Sequence, residues 1–338
     1  MPFRALIKSR TQGISAKGNP YISMQLAVKP GAVPEMGQAR HIKANRWTAG
    51  EDDISNLVPG RWINVNRYTV TENERYETSL SIWEYEVTDP PEDPERYVET
   101  SKRPADELWE DLLSLVQRIN DGDLKNMVRA LLDENREAFC RTPAAKQYHH
   151  AYVGGLVEHT LEVVRIALAS AEAMNENGVV VDTDVLLAGA VLHDIGKTKE
   201  YEIDRYGVIT INESVKLKGD HCLLGRDMLY RFWENDWPLK WKVSESRIDA
   251  IAHLILSHHG QLEWRAIVEP ATTEAVILHL ADMISSKANG IDRAIKSARE
   301  NGVAGRFRLY DRSIYPWVGT EQSEREMWPE ESSDSEEW

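Results

Sequence analysis

Two periodicities divide the chain. Near the amino terminus apolar side chains recur at every second position: Phe3, Ala5 and Ile7, then Ile22, Met24, Leu26 and Val28 alternating with Ser23, Gln25 and Ala27. That is the period of strands with one buried face. Lys17-Gly18-Asn19-Pro20 is turn chemistry between the first two. Trp62 to Val70 and Ser79 to Val87 are rich in aromatic and β-branched residues, with Asn73 and its charged neighbours as the expected hairpin loop. After Asp89-Pro90-Pro91-Glu92-Asp93-Pro94, which can extend neither a strand nor a helix, the period becomes helical. Leu108, Trp109, Leu112, Leu115, Val116 and Ile119 mark one amphipathic helix and Leu124, Met127, Val128, Leu131 and Leu132 a second. Further helices are predicted over Tyr152 to Met174, Asp184 to Asp194, His221 to Trp233, Ser246 to His258 and Thr273 to Ala298, interrupted by a small hairpin over Tyr201 to Ile211.

The pattern predicts a multidomain protein: a small all-β unit of about five strands, residues 1–90, a linker, 91–104, and an all-α bundle, 105–316. A barrel leaves the strands no open edge, and among small barrels the OB-fold suits the length and the mix of basic and aromatic residues. Trp47, Trp62, Tyr68, Trp83 and Tyr85 are candidates for stacking on unpaired bases. Packing accounts for most of them, and two or so are expected to face a ligand. The segment Lys29 to Asp53 is longer or more irregular than the strand pattern around it.

Charge sharpens this picture. The net charge of −15 over 338 residues argues against indiscriminate coating of nucleic acid. Yet residues 1–50 carry eight basic side chains and the single acid Glu35, whereas residues 317–338 form a Ser/Glu-rich acidic tail expected to be disordered. No apolar run is long enough to span a bilayer, and no signal-peptide pattern opens the chain. Cys140 and Cys222 provide no disulfide framework, so a cytoplasmic location without membrane contact is expected. A homo-oligomer is compatible with all of this.

The candidate chemistry sits in the helical half. Leu192-His193-Asp194-Ile195-Gly196-Lys197 places an imidazole and a carboxylate side by side after the apolar run Ala188 to Leu192. A carboxylate there needs a cation or donors. His159 precedes the pair, and His221, His258-His259 and Asp282 follow, each within a helical pattern. A mixed His/Asp set without a thiolate points to manganese, iron, cobalt or nickel over structural zinc. Cys222 adjoins His221, but one helical step is expected to turn it elsewhere, into packing. Lys197, three residues beyond Asp194, could neutralise charge building on phosphoryl oxygens; the alternative is an exposed lysine.

The order His, His-Asp, His, His-His, Asp resembles the HD phosphohydrolase superfamily. By that resemblance His159, His193, Asp194 and Asp282 hold a first divalent ion, and Asp194 bridges to a second held by His221 and His258. His259 either joins the second ion or orients a substrate phosphate. Three-metal members use a Glu one turn before the first His, where this chain has Gly155, so two ions are expected. The run Ala144-Ala145-Lys146-Gln147-Tyr148-His149-His150-Ala151-Tyr152-Val153-Gly154-Gly155-Leu156-Val157-Glu158-His159-Thr160, with Ser257-His258-His259-Gly260 and Leu278 to Lys287, closely resembles the YhaM family of bacterial 3′ to 5′ exoribonucleases. The resemblance implies an OB-fold joined to an HD domain, single-stranded RNA as substrate, 5′-mononucleotides as product, and Mn²⁺ as activator, with Co²⁺, Fe²⁺, Ni²⁺ or Mg²⁺ as alternatives. Single-stranded DNA is admitted as well, because nothing in the sequence obviously reads a 2′-hydroxyl. Lys146, His149, His150 and Tyr152 carry the family pattern, which implies phosphate or ribose contact, against helix capping and packing as the alternative. Two rival functions are a phosphohydrolase acting on free or cyclic nucleotides and a non-catalytic nucleic-acid-binding regulator. The second is disfavoured because no ligand of the set is missing.

Overall fold

The computed structural model describes residues 1–314 except 16, 38, 74–75, 147–148, 216, 235–241, 301–306 and 310–311. The expected acidic tail lies outside the described residues. Two compact units emerge, one from Met1–Tyr97 with the described part of 291–338, the other from Val98–Gly290.

In the first unit β1 (Phe3–Ile14), β2 (Pro20–Val28), β3 (His41–Trp47), β4 (Trp62–Asn73) and β5 (Tyr76–Thr88) close a barrel in the order β1-β2-β3-β5-β4. The ring closes through antiparallel β1 on β4, Phe3 opposite Val65, and through a parallel pair of β3 and β5, Asn45 opposite Ser81. This is the five-stranded OB-fold arrangement. Alternation decides what is inside: Ala5, Ile7, Ile22, Met24, Leu26, Ile63, Val65, Leu80 and Ile82 are buried together. β4 and β5 pair as far as Asn73 opposite Tyr76, and the loop tip between them lies outside the described residues.

The irregular stretch resolves into β3, a short helix α1 (Glu51–Asn56) and turns. β3 has only Ile42 and Ala44 as its inward apolar residues, too weak a signal to stand out in the sequence. The Asp53 carboxylate accepts from the Gly50 backbone N–H, Arg46 and the Tyr85 hydroxyl. These contacts pin the helix start to the barrel wall.

The second unit is helical: α2 (Ala105–Val116), α3 (Gly122–Arg141), α4 (Gly155–Glu176), α5 (Thr183–Leu192), α6 (Lys197–Glu200), a hairpin of β6 (Tyr201–Ile203) and β7 (Ile209–Ile211), α7 (His221–Glu234), α8 (Glu245–Ser257) and α9 (Thr273–Glu300). A two-stranded ladder of β8 (Phe307–Leu309) and β9 (Arg312–Ile314), three residue pairs long, follows in the chain and is grouped with the first unit. Every residue of α5 from Asp184 to Leu192 is buried, as expected of a helix apolar all round and packed on every side. Asp182 caps it, accepting from the amides of Asp184 and Val185. The chain therefore delivers His193 and Asp194 from the end of a central, immobilised helix. Among the described residues no helix is long and apolar enough to cross a membrane.

Candidate metal centre

Five elements converge on Asp194. His159 comes from α4, His193 and Asp194 from the end of α5, His221 from the first position of α7, His258 from the end of α8 and Asp282 from α9. One carboxylate oxygen of Asp194, Oδ2, lies 3.6 Å from His159 Nε2 and 3.4 Å from His193 Nε2. Its other oxygen, Oδ1, lies 3.4 Å from His221 Nε2 and 3.6 Å from His258 Nε2. Asp282 Oδ1 is 3.1 Å from His159 Nε2. The His259 ring stands 4.3 Å from that of His258 and 5.1 Å from that of His221.

The imidazoles share one orientation. His193 Nδ1 meets the Ala190 carbonyl at 2.8 Å, and His258 Nδ1 meets the Ile255 carbonyl at 2.7 Å. Each ring thus folds back on the last turn of its own helix. His221 Nδ1 is 3.1 Å from Glu200 Oε2. His159 Nδ1 is 2.9 Å from the Ser285 hydroxyl, which itself donates to Glu162 Oε2 at 2.8 Å. Carbonyls and carboxylates only accept, so Nδ1 donates, and Nε2 is the edge turned towards Asp194, with a lone pair to offer a cation once the ring is neutral. Outer hydrogen bonds of this kind fix tautomer and aim in metal-binding histidines.

Donor atoms 3.1 to 3.6 Å apart are spaced as ligands around a shared cation at bond lengths of about 2.0–2.2 Å. Asp194 Oδ1 and His259 Nδ1 are buried without a hydrogen-bond partner, an arrangement costly for polar atoms unless a ligand meets them. The residues present therefore fit divalent ions. Burial alone would raise the Asp194 carboxyl, but Lys197 and His193 outweigh it and hold it well below the usual carboxylate range. Asp282 is likewise held low, burial being overcome by His159. Burial, reinforced by His259, keeps His258 well below the ordinary imidazole value. The acids are charged and that ring is neutral, the protonation state that binding requires.

Two glycines make the convergence possible. A Cβ on Gly196 would lie 2.0 Å from the His221 carbonyl oxygen, so α6 can meet α7 only through a bare backbone. A Cβ on Gly155 would lie 2.0 Å from the carbonyl oxygen of His150. The His149-His150 loop is thereby held against the start of α4, where the superfamily resemblance compares a glutamate.

The remaining expected residues divide. Lys197 is buried and its Nζ lies 2.6 Å from Asp194 Oδ2, so the exposed-lysine alternative does not hold. His149 packs against His159, ring centroids 5.4 Å apart, and burial followed by the His159 charge lowers it to about 2. His150 is wholly enclosed, with φ 44°, its amide donating to Asn289 Oδ1. Tyr152 donates to Glu158 Oε2, and Lys146 is exposed. Gln147 and Tyr148 lie outside the described residues. Sequence reasoning missed Glu162, Glu200, Ser285 and Asn289. The only signal for the last two was spacing, since Asp282, Ser285 and Asn289 share one face of α9.

Of the barrel aromatics, Trp62 is buried against Tyr97, ring centroids 4.8 Å apart. Tyr68 and Tyr85 pack on the barrel core. Trp47 and Trp83 are exposed, their indole N–H groups donating to Ser81 and Thr69. Tyr21 lies beside Trp47 at 5.3 Å. Much of the basic excess is internally engaged: Arg10 donates to the Ile54 and Leu57 carbonyls, Arg46 pairs with Asp53 and Lys29 with Asp93.

Comparison with known proteins agrees with this geometry. The model of the HD domain family matches residues 156–287, which include every convergent residue. A second model, described as a putative helicase, matches residues 98–178, a stretch without a G-x-x-x-x-G-K-[ST] phosphate loop. The chain is 28% identical over 313 residues to the 3′-5′ exoribonuclease YhaM of Bacillus subtilis, covering 92% of each chain. It is 26% identical to that of Halalkalibacterium halodurans, over 92% of this chain and 91% of the relative. It is 28% identical to that of Oceanobacillus iheyensis, over 92% of each. No solved structure matches.

Proposed function

We propose, from the likeness to the YhaM exoribonucleases over 92% of the chain and from the HD domain match over residues 156–287, that this protein is a metal-dependent 3′ to 5′ exoribonuclease. It hydrolyses single-stranded RNA, and single-stranded DNA where offered, to 5′-mononucleotides. The observation that carries the chemistry is the common aim of four imidazoles, each tied at Nδ1 and turned at Nε2 to one buried carboxylate.

In this reading His159, His193, Asp194 and Asp282 would hold one divalent ion, and Asp194 with His221, His258 and His259 would hold the other. When bound, the pair supplies positive charge that activates water and stabilises the departing oxygen of an in-line displacement at phosphorus. Mn²⁺ is the expected ion by family. Lys197 sets its ammonium beside the Asp194 carboxylate, where it would offset charge on a phosphoryl oxygen. His149 borders the first ligand and, with Lys146 and Tyr152, is assigned to the substrate's phosphate or ribose. His150 shapes that loop from inside. The barrel unit, residues 1–90, retains the strand through Trp47 and Trp83, and the helical unit cleaves it.

Incubation with 5′-labelled single-stranded RNA and a panel of divalent ions tests this. A ladder shortening from the 3′ end, strongest with Mn²⁺ and abolished by chelation, is expected. Internal fragments, or turnover indifferent to chelator, would contradict it.

A further inference from the structure

The second half of the centre contains a sulfur atom. Cys222 is fully buried, and its Sγ lies 3.7 Å from His221 Nε2. One ligand atom from each of His221, Cys222, His258 and His259 falls within 4.8 Å of all the others. The expected turn away from the site does not occur. Glu200 anchors His221 by Nδ1, which swings the Nε2 edge across the first turn of α7 towards its neighbour's short side chain.

We propose that Cys222 is a thiolate ligand of the second cation and makes that position selective for softer ions. The argument rests on the two-ion reading above. A cation bonded to sulfur at about 2.3 Å and to imidazole at about 2.05 Å, at the tetrahedral angle, sets the two donors about 3.6 Å apart. The observed separation has that value within a tenth of an ångström or so. Independent support comes from Asp194 Oδ1 and His259 Nδ1, both buried and without a hydrogen-bond partner. Asp194 Oδ1 faces the same imidazoles, His221 and His258, from its own side. Binding exchanges the thiol proton, released to solvent, for the metal–sulfur bond. A soft sulfur among imidazoles favours Fe²⁺, Co²⁺ or Zn²⁺ over Mn²⁺ and Mg²⁺, whereas the first position, built of imidazole and carboxylate, keeps no such bias.

Cobalt tests the assignment without recourse to activity. Full-length protein loaded with Co²⁺ is expected to show visible ligand-field bands and a near-ultraviolet sulfur-to-cobalt charge-transfer band. The latter should vanish in Cys222→Ser and Cys222→Ala while the visible bands persist, and should survive in Cys140→Ser. The Co²⁺ over Mn²⁺ preference of the weaker-exchanging ion should fall at least about tenfold in Cys222→Ser. Visible bands without the charge-transfer band in the unsubstituted protein, or a band unaffected by Cys222→Ser, would leave only an S–H to imidazole contact and overturn the proposal. Absence of any cobalt spectrum would instead overturn the two-ion reading beneath it.

Discussion

Asp194→Asn is expected to lower metal-dependent RNA hydrolysis by on the order of 10³-fold or more while leaving single-strand affinity unchanged. Asp194 presents one carboxylate oxygen to each half of the centre. The amide keeps its size but loses its charge and turns a donor towards imidazoles whose free edges are lone pairs. Lys197, whose ammonium it balances at 2.6 Å, would be left buried beside a neutral group. Breaking a buried pair at one end costs about 3–5 kcal/mol of stability, so a lower thermal midpoint is expected with the loss of turnover. Stopped turnover with unchanged strand affinity by fluorescence anisotropy supports separate binding and cleaving functions; equal loss of both would refute them.

Joint replacement Trp47→Ala and Trp83→Ala is expected to act in the opposite sense. Stacking of a base on an aromatic ring contributes about 1–3 kcal/mol, so losing two platforms should raise KM for a long strand on the order of 100-fold. Hydrolysis of a small phosphodiester should be untouched. Both rings lie on the outer barrel face, held by hydrogen bonds to Ser81 and Thr69, so their removal opens no cavity in the core. With many of the nearby cations engaged internally, stacking carries more of the grip than backbone charge. The salt dependence of strand binding should accordingly be shallow. Unchanged KM would remove the barrel from substrate retention.

The convergent residues could be read from the sequence because each imidazole or carboxylate sits in an apolar helix pattern where a lone polar group has no other partner in view. The helices that carry them start and end close to the periodic runs, and α9, Thr273–Glu300, coincides with its predicted start. The groups that aim those imidazoles could not be read. Ser285 meets His159 across 126 positions of chain and Glu162 across 123, and in sequence each is an unremarked polar residue on a helix. Trp62 looked like Trp83 in a strand pattern, but it packs against the distant Tyr97. Cys222 was misjudged by treating its helix as ideal at its first residue, where the Glu200 contact sets the direction of His221.

The claim on which the rest depends is that these side chains meet around two cations. Crystals of the full-length protein grown with Mn²⁺ would show it by anomalous scattering. The account predicts two peaks, one on each side of the Asp194 carboxylate, the first enclosed by His159, His193 and Asp282, the second by His221, His258 and His259. A single peak remote from Asp194, or none at saturating Mn²⁺, would contradict it.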